Sequence, residues 1–259
     1  MHNYERSPLY DKELESRYKF WEYVDSTLQI RDTETLKMHV IDKASDLQLD
    51  AGKVKQAIAF MEAAHDGQKR DFTGDPYIVH TLQVTLIGLA LMDQDKITTD
   101  DVSILLNHDT LEDTKTTYQM LETTFGKNVA DGVVGLSHSI NGGKRLDTQS
   151  YFDHISETDR RNPDLKVLPK KVADLLVNGN DPINASGLKD PLSTFFVWEK
   201  TTKNKVSQMN LFLDMLKKDR PEEKGLMQTL HEGMIYTQMS KEPTFKTPQL
   251  KNKLATMKN

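Results

Sequence analysis

Apolar residues recur along this chain with the 3.6-residue period of amphipathic helices. Val54, Ala57, Ile58, Met61 and Ala64 follow the i, i+3, i+4, i+7 rule, and so do Tyr118, Leu121, Phe125, Val129 and Val133. Gly126 falls inside the second set and predicts a helix made of two pieces. Asp75-Pro76 predicts an N-cap followed by proline at the first helical position, with His80 in the second turn. Thr98 with Asp101 has the spacing of a capping box ahead of Val102, Leu105 and Leu106, on a helix that ends at His108-Asp109. Two further helices are predicted over 192–218 and 223–240, and residues 1–45 read as additional helices packed on the outside. No strand pattern and no internal repeat is present, so the fold class is all-α. Two loops are predicted, "SINGGKRLDTQ" as a mobile one and "NGNDPINASGLKDP" as the break before the C-terminal helices. The polar, basic end from Lys241 carries two prolines and reads as a tail.

Composition narrows the class. At 259 residues with 37% hydrophobic and 28% charged content, the chain suits one domain with helical extensions. There is no cysteine, which excludes disulfides and thiolate metal ligands and suits a reducing cytoplasm. The N-terminus lacks the apolar core of a signal peptide, and no apolar run approaches a membrane span. A net charge of −5 argues against nucleic acid as a partner. Basic pairs nevertheless stand beside the motifs below: Lys69-Arg70, Lys144-Arg145, Arg160-Arg161 and Lys170-Lys171. Each pair suits either a solvated helix end or a pocket for a small polyphosphate.

The densest chemistry is in "LLNHDTLEDT". On a helix, His108 and Glu112 share one face, and Asp109 and Asp113 another. His80 in "PYIVH" and Asp174 in "KKVADLLVN" complete a two-histidine, two-aspartate set from three segments. Such a mixed nitrogen and oxygen set suits Mn²⁺, Fe²⁺ or Zn²⁺ better than Ca²⁺. Glu112 and Asp113 lie next to the set without belonging to it, which suits proton transfer to and from water and leaving group. Asn178 follows Asp174 by four residues and either serves the site or caps a helix before Gly179. Lys171, three residues before Asp174, pairs with either a phosphate or a carboxylate. His65, His138 and His154 read as structural or surface residues, although "AHDGQ" places His65 near the pocket.

The segments "AAHDGQKRDFTGDPYIVH", "HDTLEDTKTT…FG", "YFDHI" and "K-x-A-D-x-x-x-N" occur in the order seen in RelA/SpoT proteins. The chain resembles the HD-type hydrolase domain of that family, and within it the small alarmone hydrolases of the Mesh1-like group. The resemblance spans roughly 50–180. It implies an HD-domain helical bundle over 46–185, an N-terminal extension over 1–45, C-terminal helices over 186–240 and a tail over 241–259. It also implies a Mn²⁺ centre on His80, His108, Asp109 and Asp174, with Glu112 and Asp113 as the catalytic acids. Arg70 falls on the family's substrate-contacting arginine, and Lys171, Asn178, Lys144 and Tyr151 are further substrate-binding candidates. The implied reaction removes pyrophosphate from the 3′ position of (p)ppGpp, giving GDP or GTP. Alternatives are (p)ppApp, the 2′-phosphate of NADPH, or a nucleotide-binding module without turnover. The residues after Asp174 are too few and too helical for a mixed α/β synthetase domain. Four departures from the family pattern touch substrate recognition more than metal binding: Asp71 and the inserted Phe72, Thr81 after His80, and Leu175 after "KxAD".

Overall fold

The computed structural model describes residues 8–70, 73–139, 145–184 and 191–239. Twelve α-helices are assigned among them. They run α1 Pro8–Gln29, α2 Thr33–Asp46, α3 Ala51–Ala64, α4 Ile78–Leu91, α5 Thr99–Asn107, α6 Thr110–Asp113, α7 Tyr118–Phe125, α8 Lys127–Leu136, α9 Thr148–Arg161, α10 Val167–Asn184, α11 Pro191–Asp219 and α12 Lys224–Met239. Among the described residues there is no β-strand, only an isolated antiparallel bridge between Lys69 and Pro76. None of the described helices is long and apolar enough to cross a membrane.

α4 is the axis of the bundle. Every residue from Val79 to Leu89 is buried, as a helix apolar on all sides requires. It packs against α1, α2, α5 and α10. The side chain of Gln83 donates to the carbonyls of Leu28 and Ile30 at 3.3 and 3.0 Å, closing the α1–α2 corner onto it. The capping box predicted at Thr98 and Asp101 is present. Asp101 also accepts from Lys166 at 2.7 Å and from Lys170 at 2.6 Å. One buried carboxylate therefore caps α5 and fixes it against α10. Gly126, at φ 91°, ends α7 and opens α8, the division its position implied.

Four expectations need correction. Asp75-Pro76 does not open α4, whose N-cap position is Tyr77. Instead the Asp75 carbonyl accepts from Arg70 N at 2.9 Å and its carboxylate pairs with Arg31 at 3.2 Å, so residues 69–70 and 73–76 meet as a lip. His108 and Asp109 lie in a turn between α5 and α6, so 108–113 is not one helix. α10 continues to Asn184 through the stretch expected to be a loop; Asn178 is therefore interior to a helix and does not cap one. The N-terminal helices do not merely coat the molecule. Trp21, Val24, Leu36 and Val40 are fully buried in the same core as the rest.

The first and last helices are pinned together. Trp21 Nε1 donates to Glu232 at 2.7 Å, Arg17 pairs with the same carboxylate, and Tyr236 stacks on Trp21 at 5.3 Å while its hydroxyl donates to Asp25. α12 in turn lies against α10 at Gly233, where an added Cβ would overlap Leu176 Cδ2. Gly233→Val is therefore expected to lower stability by about 1–3 kcal/mol through overpacking. A chain of this size should then melt several degrees earlier, at roughly 2–4 °C per kcal/mol. An unchanged melting temperature would show that α10 and α12 are not in close contact there.

Candidate metal centre

Three parts of the bundle converge on one point. α4 delivers His80, the turn after α5 delivers His108 and Asp109, and α10 delivers Asp174. His80 Nε2 lies 3.4 Å from Asp109 Oδ2 and 3.4 Å from Asp174 Oδ1. His108 Nε2 lies 3.1 Å from Asp109 Oδ2 and 3.7 Å from Asp174 Oδ1. Donors about 2.1 Å from one ion stand about 3.0 Å apart at a right angle and about 3.4 Å at the tetrahedral angle. His80, His108 and Asp174 each offer a donor atom within 4.8 Å of the others, the spacing of ligands around a common cation, and Asp109 Oδ2 lies beside both imidazoles. His80, His108 and Asp174 are 2%, 4% and 6% exposed, so these polar groups need a partner. His108 Nε2 is buried and makes no hydrogen bond.

The surroundings orient these donors. His108 Nδ1 faces the Leu105 carbonyl at 2.8 Å, which leaves Nε2 free to point at the centre. Lys171 Nζ binds Asp174 Oδ2 at 2.7 Å, and Asn178 donates to Asp174 Oδ1. The Asn178 side-chain oxygen Oδ1 accepts from Arg70 at 2.9 Å, so the lip is tied to α10. Burial opposes a charge on His108, yet Asp109 and Asp174 override it and raise its pKa to about 10. Burial likewise disfavours a charged Asp174, but Lys171 and the two histidines hold its pKa well below the usual range. The Asp109 and Asp174 carboxylates are thus held in their charged form, as ligands of a cation must be.

The acids Glu112 and Asp113 border the same cavity of about 420 Å³. Glu112 accepts from the backbone N–H of His138, and burial pushes its pKa up. Asp113 Oδ2 accepts from the Tyr77 hydroxyl at 2.7 Å, and that hydroxyl also lies 2.7 Å from Asp109 Oδ2. Of the substrate-binding candidates, Arg70, Lys171, Asn178 and Tyr151 line the cavity, and Lys144 lies outside the described residues. Tyr151 is 1% exposed and its hydroxyl bonds the Leu136 carbonyl, so only its ring faces the cavity, beneath Lys171 at 4.8 Å.

Other lining residues were not among the site candidates in the sequence, and His138 was read as structural or surface. His138 stacks on Tyr151 with ring centroids 3.5 Å apart. Burial, helped by Lys171 and Arg145, lowers its pKa to about 4. Arg145 and Lys205 also line the cavity, and neither has an ion pair among the described residues. Arg145 was visible as half of a basic pair beside a glycine loop. Lys205 carried no signal, since it lies on α11, 31 residues beyond Asp174.

Sequence comparison extends this picture. Residues 57–161 match the family described as "HD domain". The chain is 40% identical over 106 residues to the guanosine-3′,5′-bis(diphosphate) 3′-pyrophosphohydrolase of Aquifex aeolicus, covering 41% of this chain and 14% of that one. It is 42% identical over 85 residues to the bifunctional (p)ppGpp synthase/hydrolase SpoT of Escherichia coli, covering 33% and 11%. It is 35% identical over 130 residues to the GTP pyrophosphokinase rsh of Brucella ovis, covering 48% and 16%. The aligned part is thus a small fraction of each relative's length. Residues 57–161 of this chain form an HD domain, homologous to the matching segment of the SpoT and rsh proteins.

Proposed function

We propose that this chain is a Mn²⁺-dependent hydrolase that removes the 3′-pyrophosphate of (p)ppGpp, releasing GDP or GTP in the cytoplasm. The observation that carries the reading is the convergence of His80, His108, Asp109 and Asp174 from three elements, with Glu112 and Asp113 on the same cavity. The homology to SpoT and to the Aquifex pyrophosphohydrolase supports the choice of substrate. In this reading residues 46–185 are the catalytic unit, and α11 adds Lys205 to it.

His80, His108, Asp109 and Asp174 would hold the ion. A divalent metal bound there supplies Lewis acidity and a more acidic water. Water adds to the phosphorus attached to the 3′ oxygen, and that P–O bond breaks. Pyrophosphate departs and the 3′ oxygen gains a proton. Glu112 and Asp113 are the groups placed to take the proton from water and return one to the leaving oxygen. Lys171 is committed to Asp174, so it orients a ligand and does not grip phosphate. Asn178 bridges Asp174 to Arg70, whose planar guanidinium can meet base or phosphate. Arg145 and Lys205 are the cations left to neutralise the phosphate groups.

The test is a panel. Purified protein with Mn²⁺ is incubated with ppGpp, pppGpp, ppApp and NADPH, and pyrophosphate and orthophosphate are measured separately. Pyrophosphate from the guanosine substrates is expected. Orthophosphate from NADPH alone would replace the reading with a phosphatase, and no release from any substrate would leave a nucleotide-binding module.

A further inference from the structure

We infer that Tyr77 is a positioning residue that locks the acid Asp113 to the metal ligand Asp109, a role that rests on the functional reading above. Its hydroxyl stands 2.7 Å from Asp109 Oδ2 and 2.7 Å from Asp113 Oδ2. The Asp109 oxygen involved is the same one that faces His80 and His108. A carboxylate oxygen has two lone pairs, so it can serve the ion and still accept from Tyr77. The phenol therefore spans the gap between the metal set and the proton-transfer pair.

The ring is held by two neighbours. His65 stacks on it with centroids 4.6 Å apart and planes inclined by 14°, and the Arg70 guanidinium lies 5.3 Å over it. His65 is itself 2% exposed and fixed by Gln68, whose Oε1 is 2.8 Å from His65 Nδ1. The same Gln68 amide donates to the backbone carbonyl of Asp113 at 2.6 Å. Asp113 ends a helix of only four residues, too short to hold itself by its own hydrogen bonds. Both its side chain and its carbonyl are instead held from residues 65–77, the segment closed by the Lys69–Pro76 bridge and by Tyr77 N donating to the Gln68 carbonyl at 3.0 Å. One lip thus carries Arg70 toward substrate and sets Asp113 relative to the metal ligands.

Tyr77→Phe keeps the ring and both stacks while deleting the hydroxyl. Loss of such an outer-sphere contact costs about 10–100-fold in metal affinity or activity. The expected result is a Mn²⁺ dissociation constant raised about tenfold, read without substrate from the Mn²⁺-induced rise in melting temperature. In the metal-saturated enzyme kcat should fall at least about tenfold with KM changed less than about threefold, because the contact organises reacting groups and not substrate. Gln68→Met removes the bond to the Asp113 carbonyl together with the one to His65 Nδ1, and leaves the Tyr77 hydroxyl in place. It should lower kcat with metal affinity unchanged, so the argument survives if Tyr77→Phe fails to fold. Metal affinity and kcat within twofold of the natural protein in Tyr77→Phe, or an unchanged kcat in a folded Gln68→Met, would overturn the inference. If the natural protein binds Mn²⁺ but hydrolyses none of the panel, the functional reading fails while the metal-affinity comparison still decides the Tyr77–Asp109 contact.

Discussion

His108→Ala or Asp109→Ala is expected to leave the purified protein without bound metal and to reduce hydrolysis at least about a thousandfold. Losing the ion removes several kcal/mol of transition-state stabilisation, and about 4 kcal/mol corresponds to that factor. Helix content should be largely retained, because both residues lie in the turn between α5 and α6 and the apolar core around α4 is untouched. Two measurements make the claim specific. Metal analysis should show loss of occupancy, and added Mn²⁺ should raise the melting temperature of the natural protein but not of either variant. Ligand at a hundred times its dissociation constant stabilises by about 2.7 kcal/mol, so the shift is easily seen. Full metal occupancy in both variants would show that the converging donors are not the coordination set.

The second large effect separates chemistry from metal binding. Glu112→Gln with Asp113→Asn removes two proton-transfer groups while keeping shape and hydrogen-bonding capacity. Metal should remain bound, since neither side chain belongs to the four-donor cluster. Turnover should fall at least about a hundredfold, the usual scale for general acid–base catalysis. The amides can still receive the His138 N–H and the Tyr77 hydroxyl, so a folding defect is not expected. A metal-loaded double variant that remains fast would take both residues out of the mechanism.

Much of this protein is legible in the order of its residues. The helices declare themselves because burial on one face imposes a 3.6-residue period, and the Thr98–Asp101 box and Gly126 mark ends through local backbone chemistry alone. The candidate metal donors are also legible, because their resemblance to a hydrolase family supplies the pairing across three segments. Local signals misled where a distant partner outbid them. Asp75 has the look of an N-cap, but Arg31, 44 residues away, and the Arg70 backbone engage it and draw it into the lip. Asn178 before Gly179 has the look of a helix end, but packing of α10 against α11 and α12 carries the helix onward. Residue types and the family resemblance named the candidates for binding a metal and moving protons. Only the tertiary structure decided that Lys171 orients Asp174, that Lys205 reaches the cavity from α11, and that Tyr77 joins Asp109 to Asp113. The Lys205 and Tyr77 placements bridge segments tens of residues apart, and no local periodicity encodes which side chains meet once the helices pack.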